Sequence, residues 1–203
     1  MIQITCYQTC KIDSKDWQTL YDSFPHHAIQ NELKKQWQWL GSGYYFWPDS
    51  PTCAVWWGDV RLRQPYCITS YLISIEYEAI FDMTGNIKHI EYFSFMMDMY
   101  KKAYDKAARF CMKKLPAPSV STVIDHFRTH LREEVFNYKA VKIHNFDDFV
   151  NDDDTVKMTP ISREVFVGLS RIQLCIFKGE EKCISEKTPH SPNDYCSSIA
   201  QAC

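Results

Sequence analysis

Glycine is scarce in this chain of 203 residues, with six in all, and Gly-Lys-Ser or Gly-Lys-Thr occurs nowhere. That excludes a nucleotide cradle of the phosphate-loop type. The nine cysteines, from Cys6 to Cys203, include no Cys-x-x-Cys pair, so the usual zinc and redox spacings are missing. His126 and His130 share a helical face, but Phe127 stands where a zinc-protease motif needs glutamate. No metal site is expected. No apolar run approaches the ~18 residues of a membrane span, and no charged-then-apolar leader opens the sequence. An odd number of thiols without such a leader points to a reducing, cytoplasmic setting and no membrane partner. A net charge of −2 gives no global pull toward nucleic acid or anionic lipid.

What the chain does have is hydrophobic and aromatic mass, 45% and 15% of its residues. That suits one densely packed α+β domain. Ile2 to Gln8 alternates like a strand, and Asp13 or Ser14 caps a helix running to Phe24. Pro25 interrupts it, and Ala28 to Trp39 resumes a helical pattern. Cys67 to Tyr77 is β-branched and aromatic, as strands are. Ile87 to Lys114 is the longest helical signal, with Ile90, Phe93, Met97, Tyr100 and Tyr104 on a core-facing stripe. Pro116 and Pro118 stop it, and Ser119 or Ser121 starts a helix to about Val135. Tyr138 to His144 reads as a strand, and Asp147 to Asp154 as a solvated acidic loop without calcium-loop spacing. Glu164 to Phe177 reads as two strand-like runs. From Glu186 the apolar period fades, so 1–185 is expected to be the domain and 186–203 a flexible tail or partner-docking segment.

The most informative segment is Gly41-Ser42-Gly43-Tyr44-Tyr45-Phe46-Trp47, followed by Ala54-Val55-Trp56-Trp57. Glycines tolerate positive φ and close approach of a ligand. The aromatics read as a strand with flat π surfaces, and Pro51 to Gly58 as a short helix returning two tryptophans toward it. Such an arrangement forms a slot for a flat heteroaromatic ring, or simply fills a core.

Gly-x-Gly-x-Tyr-Phe with alanine nine residues after the tyrosine resembles the nicotinamide-pocket motif of the ADP-ribosyltransferase superfamily. It is most similar to the poly(ADP-ribose) polymerase and diphtheria-toxin branch. The resemblance spans about seventeen residues, Gly41 to Trp57. It implies an α+β fold of split, mainly antiparallel sheets gripping NAD. It also implies a ring sandwich of Tyr45 and Trp56, with the carboxamide bonded by the Gly43 backbone and Cys53 where the family has serine. The family's first motif is a strand ending in histidine or arginine. Here the strand ends Cys6-Tyr7-Gln8-Thr9-Cys10, making Gln8 the positional equivalent, with Thr9 beside it at the cofactor. The late Glu-x-aliphatic-Val pattern falls on Glu164, which opens an apolar strand; a solvent-facing strand-edge glutamate is the alternative. Without a Glu-x-Glu or Gln-x-Glu ending there, the arginine-directed branch is disfavoured.

The implied reaction transfers ADP-ribose from NAD to a macromolecule, protein or nucleic acid, and releases nicotinamide, with Glu164 polarising the ribose and Gln8 orienting the cofactor. By analogy the protein would be a bacterial or phage-defence toxin, with a neutralising antitoxin as a possible partner. Two rivals share the fold: hydrolysis of NAD with water as acceptor, and an inactive NAD-fold binding module. The Lys101-Lys102 and Lys113-Lys114 pairs are the candidate contacts to a nucleic acid, or a solvated helix face.

Overall fold

The computed structural model of the chain describes residues 1–13, 16–31, 38–111, 118–132, 134–145, 155–157, 165–167 and 171–202. Strand β1 (Ile2–Lys11) pairs antiparallel along its whole length with β3 (Tyr66–Ile75), from Ile2 opposite Ile75 to Lys11 opposite Tyr66. Strand β2 (Gly43–Pro48) lies on the other side of β1 and carries the aromatic segment. Beyond it come β8 (Arg171–Phe177), β5 (Ala140–Asn145) and β4 (Ile80–Asp82), while β9 (Ile184–Ser191) flanks β3. The sheet order is β4-β5-β8-β2-β1-β3-β9, antiparallel apart from the β4–β5 pair. Strands β6 (Thr155–Lys157) and β7 (Val165–Val167) form a separate antiparallel pair. The architecture is mixed α+β.

Strand alternation assigns residues to two faces. One face is covered by α1 (Trp17–Asp22) and α5 (Asn193–Ala202), which bury Leu20, Phe46, Tyr71, Leu174, Tyr195 and Ile199 in one cluster. The opposite face is covered in two places. At the β4-β5-β8 end, α3 (Ile87–Cys111) and α4 (Val120–His130) pack on Phe81, Val141, Cys175 and Phe177. At the β1-β3 end, α2 (Pro51–Trp56) packs Cys53 and Ala54 against Trp47 and Ile68.

The helix starts follow their capping chemistry. The Ser50 hydroxyl accepts from the Cys53 N–H ahead of α2, with Pro51 in the first turn, and the Ser119 hydroxyl accepts from Thr122 N–H ahead of α4. Asp16, rather than Asp13 or Ser14, caps α1 by accepting from the Gln18 and Thr19 amides.

Three expectations need correction. The helical period of Ala28 to Trp39 is not a helix at its described ends: Ala28 is bridged to Gly43, and Trp39 to Gly41. Tertiary pairing with the sheet overrides local propensity there. On α3 the packed set is Tyr92, Phe93, Met96, Met97, Met99 and Tyr100, a broad i, i+3, i+4, i+7 face. Ile90, nearer the helix start, is exposed.

The third correction is the largest. Residues 184–202 form β9 and α5, not a flexible tail, and Tyr195 is fully buried. The Tyr195 and Thr69 hydroxyls share a 2.8 Å hydrogen bond, and the Tyr195 ring lies 5.3 Å from Trp17. Lys187 Nζ donates to the carbonyls of Tyr21 and Phe24, and Tyr21 Oη donates back to the Lys187 carbonyl. Two large apolar side chains spaced one helical turn apart, Tyr195 and Ile199, suffice to dock a short helix. The acidic loop lies outside the described residues. Among the described residues, no helix is long and apolar enough to cross a membrane.

Candidate functional site

The site begins where the sheet splits. β1 and β2 are in register only at Cys6–Pro48 and Tyr7–Trp47. Beyond Tyr7 the strands diverge, although each continues pairing with its other neighbour. Backbone groups released by such a split need new partners. Gln8, 5% exposed, supplies them: its Nε2 donates to the carbonyls of Tyr45 (3.1 Å) and His26 (3.0 Å), and its Oε1 accepts the His26 N–H at 2.6 Å. Cys10 Sγ also approaches Oε1, at 3.5 Å. Further along, Ala28 and Gly43 exchange both backbone hydrogen bonds, 2.9 and 3.0 Å. The segment around His26 to Ala28 therefore wedges the two strands apart.

Inside the wedge is a cavity of ≈570 Å³, within the usual range for small-molecule sites. Tyr45, Trp47 and Trp57 line it, together with Gln8, Thr9 and Gln173. Tyr45 is fixed in place, since its hydroxyl donates to the Gly41 carbonyl (2.7 Å) and accepts from the Leu40 N–H (2.9 Å). Burial holds its phenol well above the ordinary range, so it stays protonated. Trp47 and Trp57 have ring centroids 5.9 Å apart at 50°. Lys11 is the one Lys or Arg, and Asp13 the one carboxylate, among the described lining residues.

α2 passes directly into a π-helical turn, Trp57–Leu62, and the two adjacent tryptophans point to different sides, as neighbours about 100° apart on a helix do. Trp57 lines the cavity. Trp56 instead lies beneath the Arg171 guanidinium, 3.8 Å from its ring centre, with Arg61 at 5.7 Å. The expected partner of Tyr45, Trp56, is therefore not in the cavity lining, whereas Trp47 and Trp57 are.

The remaining expected residues divide. Thr9 lines the cavity, but its hydroxyl is already committed to the Ala54 carbonyl at 2.6 Å. Gln8 is present as a clamp, with both amide hydrogens and its oxygen engaged within the chain. Gly43 offers no free amide, because Ala28 takes it. Its lack of a side chain serves packing: a Cβ there would stand 2.4 Å from Cys175 Sγ and 2.7 Å from the Ile176 carbonyl oxygen. Gly41, at φ +80°, would drive a Cβ into the Asp125 carboxylate at 2.2 Å. Both glycines thus admit the chain itself rather than a ligand. Cys53 is 2% exposed in the cluster with Trp47 and Ala54, away from the cavity lining. Glu164 lies outside the described residues.

Sequence reading put Trp47 and Trp57 in the aromatic segment without giving either a site role, and missed Gln173. A signal for Gln173 was available: it is the one uncharged polar side chain in the apolar run Ile172–Phe177, on the same face as Cys175 and Phe177. It is 5% exposed, and its side-chain amide has no hydrogen-bond partner among the described residues. Among known proteins, no family model, curated sequence or solved structure matches the chain.

Proposed function

We propose that this chain binds NAD in the cavity at the split and transfers ADP-ribose to a macromolecule, releasing nicotinamide, on an ADP-ribosyltransferase-type fold. The observation that carries the reading is the position of the cavity. A slot walled by fixed aromatic rings opens where β1 leaves β2, directly on the Gly41 to Trp57 segment that resembles the family's nicotinamide motif. A planar ring fits against Tyr45 and Trp57 by offset stacking. Lys11 supplies a positive charge for a diphosphate.

The chemistry asks for a carboxylate that stabilises positive charge developing on the ribose, as in glycoside cleavage. Glu164, opening an apolar run, is the residue we assign to it. Incubation with labelled NAD and cell extract, followed by separate protease and nuclease digestion, tests the transfer and names the class of acceptor. Glu164→Gln is expected to keep the folded state and NAD binding while transfer falls at least about 100-fold. Transfer at the parent rate in that variant would refute the role of Glu164.

One observation favours a second reading, an NAD-fold binding module without turnover. The residue standing for the family's histidine, Gln8, carries no charge and has spent its hydrogen bonds on the wedge. Under that reading NAD is bound but neither nicotinamide nor labelled macromolecule is produced.

A further inference from the structure

We propose that Gln173 is the polar anchor of the cavity, recognising a neutral, adjacent donor–acceptor pair on the edge of a flat ring. This deepens the reading of the cavity as the NAD site, and rests on it for the choice of ligand.

Among the described residues, the fully enclosed side-chain N and O atoms without a partner are His27 Nε2, Gln30 Oε1 and Tyr71 Oη. The Gln173 amide is not one of them: it has no partner among those residues and is left accessible from the cavity, where what enters can satisfy it. Gln173 is 95% buried on β8, opposite Ile143 of β5, and lines the cavity. The other buried glutamine of the site, Gln8, shows what a structural role looks like in this chain: every hydrogen-bonding position on it is engaged. Gln173 has none of those bonds. Its donor and acceptor remain for something that enters from the cavity.

The shape of the surroundings selects the ligand. Tyr45, Trp47 and Trp57 give the cavity flat apolar walls, so a planar ring is the natural occupant. A side-chain amide presents one N–H donor next to one carbonyl acceptor and matches the same pair reversed. Two edges of NAD carry that pair: the carboxamide of nicotinamide, and the amino group with its neighbouring ring nitrogen on adenine, which glutamine also reads in nucleic acids. The shared chemistry is a neutral amide-like edge. A carboxylate at that edge has no donor to offer and is rejected.

The test uses the full chain and Gln173→Leu, a change of similar volume that removes both polar groups. Binding of NAD, nicotinamide mononucleotide, benzamide, adenosine monophosphate and benzoate is measured by calorimetry, with a thermal melt of each protein. The parent is expected to bind NAD and one of the two half-molecules and to ignore benzoate. Gln173→Leu is expected to weaken that binding at least about tenfold without lowering the melting temperature, since no internal hydrogen bond is lost.

The half-molecule that carries the loss identifies which edge is read. Unchanged NAD affinity in the variant overturns the anchor and leaves the NAD site standing. A melting temperature lowered by several degrees also overturns it, because Gln173 would then be structural. Benzamide or adenosine monophosphate held through Gln173, with no NAD binding, keeps the anchor and refutes the NAD reading. If the parent binds none of the probes, both fall.

Discussion

Strand β2 meets its two neighbours in opposite ways. Toward β8 it keeps an unbroken register over Gly43–Phe46, tight enough that Gly43 has no room for a Cβ. Toward β1 it keeps two paired positions and then yields to a wedge held by one glutamine side chain and one bridge at Ala28. The closed seam uses the economy of a regular ladder, in which each backbone group satisfies another. The open seam replaces ladder bonds with a side chain, and the space gained is the cavity. A cavity in a sheet is thus made by ending one pairing early while the neighbouring pairing continues.

The comparison predicts unequal responses to substitution. Gly43→Ala attacks the closed seam, where the clash is with a buried thiol and a backbone carbonyl, neither able to retreat without parting β2 from β8. A loss of about 3 kcal/mol is expected in denaturant unfolding. Gln8→Leu attacks the open seam and strands the Tyr45 carbonyl and the His26 N–H. We expect about 2 kcal/mol, from the desolvation cost of buried groups left unpaired. A neutral Gln8→Leu would mean that the wedge holds without its clamp, and the contrast between the seams would be lost.

Smaller effects separate the tryptophans. Trp57→Ala should weaken NAD by roughly fivefold, the value of about 1 kcal/mol of stacking. Trp56→Ala should leave affinity within about twofold, its ring face being occupied by Arg171. Equal losses in the two variants, measured by titration alongside melts, would return Trp56 to the site.

The smallest effect is that of pH on the wedge. Burial, then the charge of Lys178, depresses the pKa of His27, whose Nε2 is buried without a partner. A depressed pKa means that His27 favours the folded state when neutral. Its contribution is therefore present above the ordinary histidine value, near 6.5, and is lost as pH falls through the folded value. Acidification should speed amide exchange at residues 26–28 before it affects β8, and His27→Phe should flatten that dependence.

Much of the scaffold was legible in the sequence and less of the site was. The strand at Ile2, the long helix from Ile87 and the Ser119 cap follow from alternation, helical period and capping, all local signals. Tyr45 was found because a motif marks it. Trp57 was given no site role because the family spacing points to Trp56, and which of two neighbouring tryptophans reaches the cavity depends on how the helix packs on the sheet. Gln8 was identified as a site residue and proved to be a clamp, since its partners are 18 and 37 residues away in sequence. The C-terminal segment read as a tail because its few apolar side chains are spaced for one shallow contact, yet Tyr195 places its hydroxyl on Thr69 of β3.

The most direct test of the account is amide hydrogen exchange of the full chain with and without saturating NAD. Protection should rise at residues 8–11, 23–28, 45–47 and 57–62 and around Gln173, which border the cavity, and remain unchanged at α5. Protection confined to other segments, or no change at concentrations where a nicotinamide analogue is also inert, would contradict the placement of an NAD site at the split.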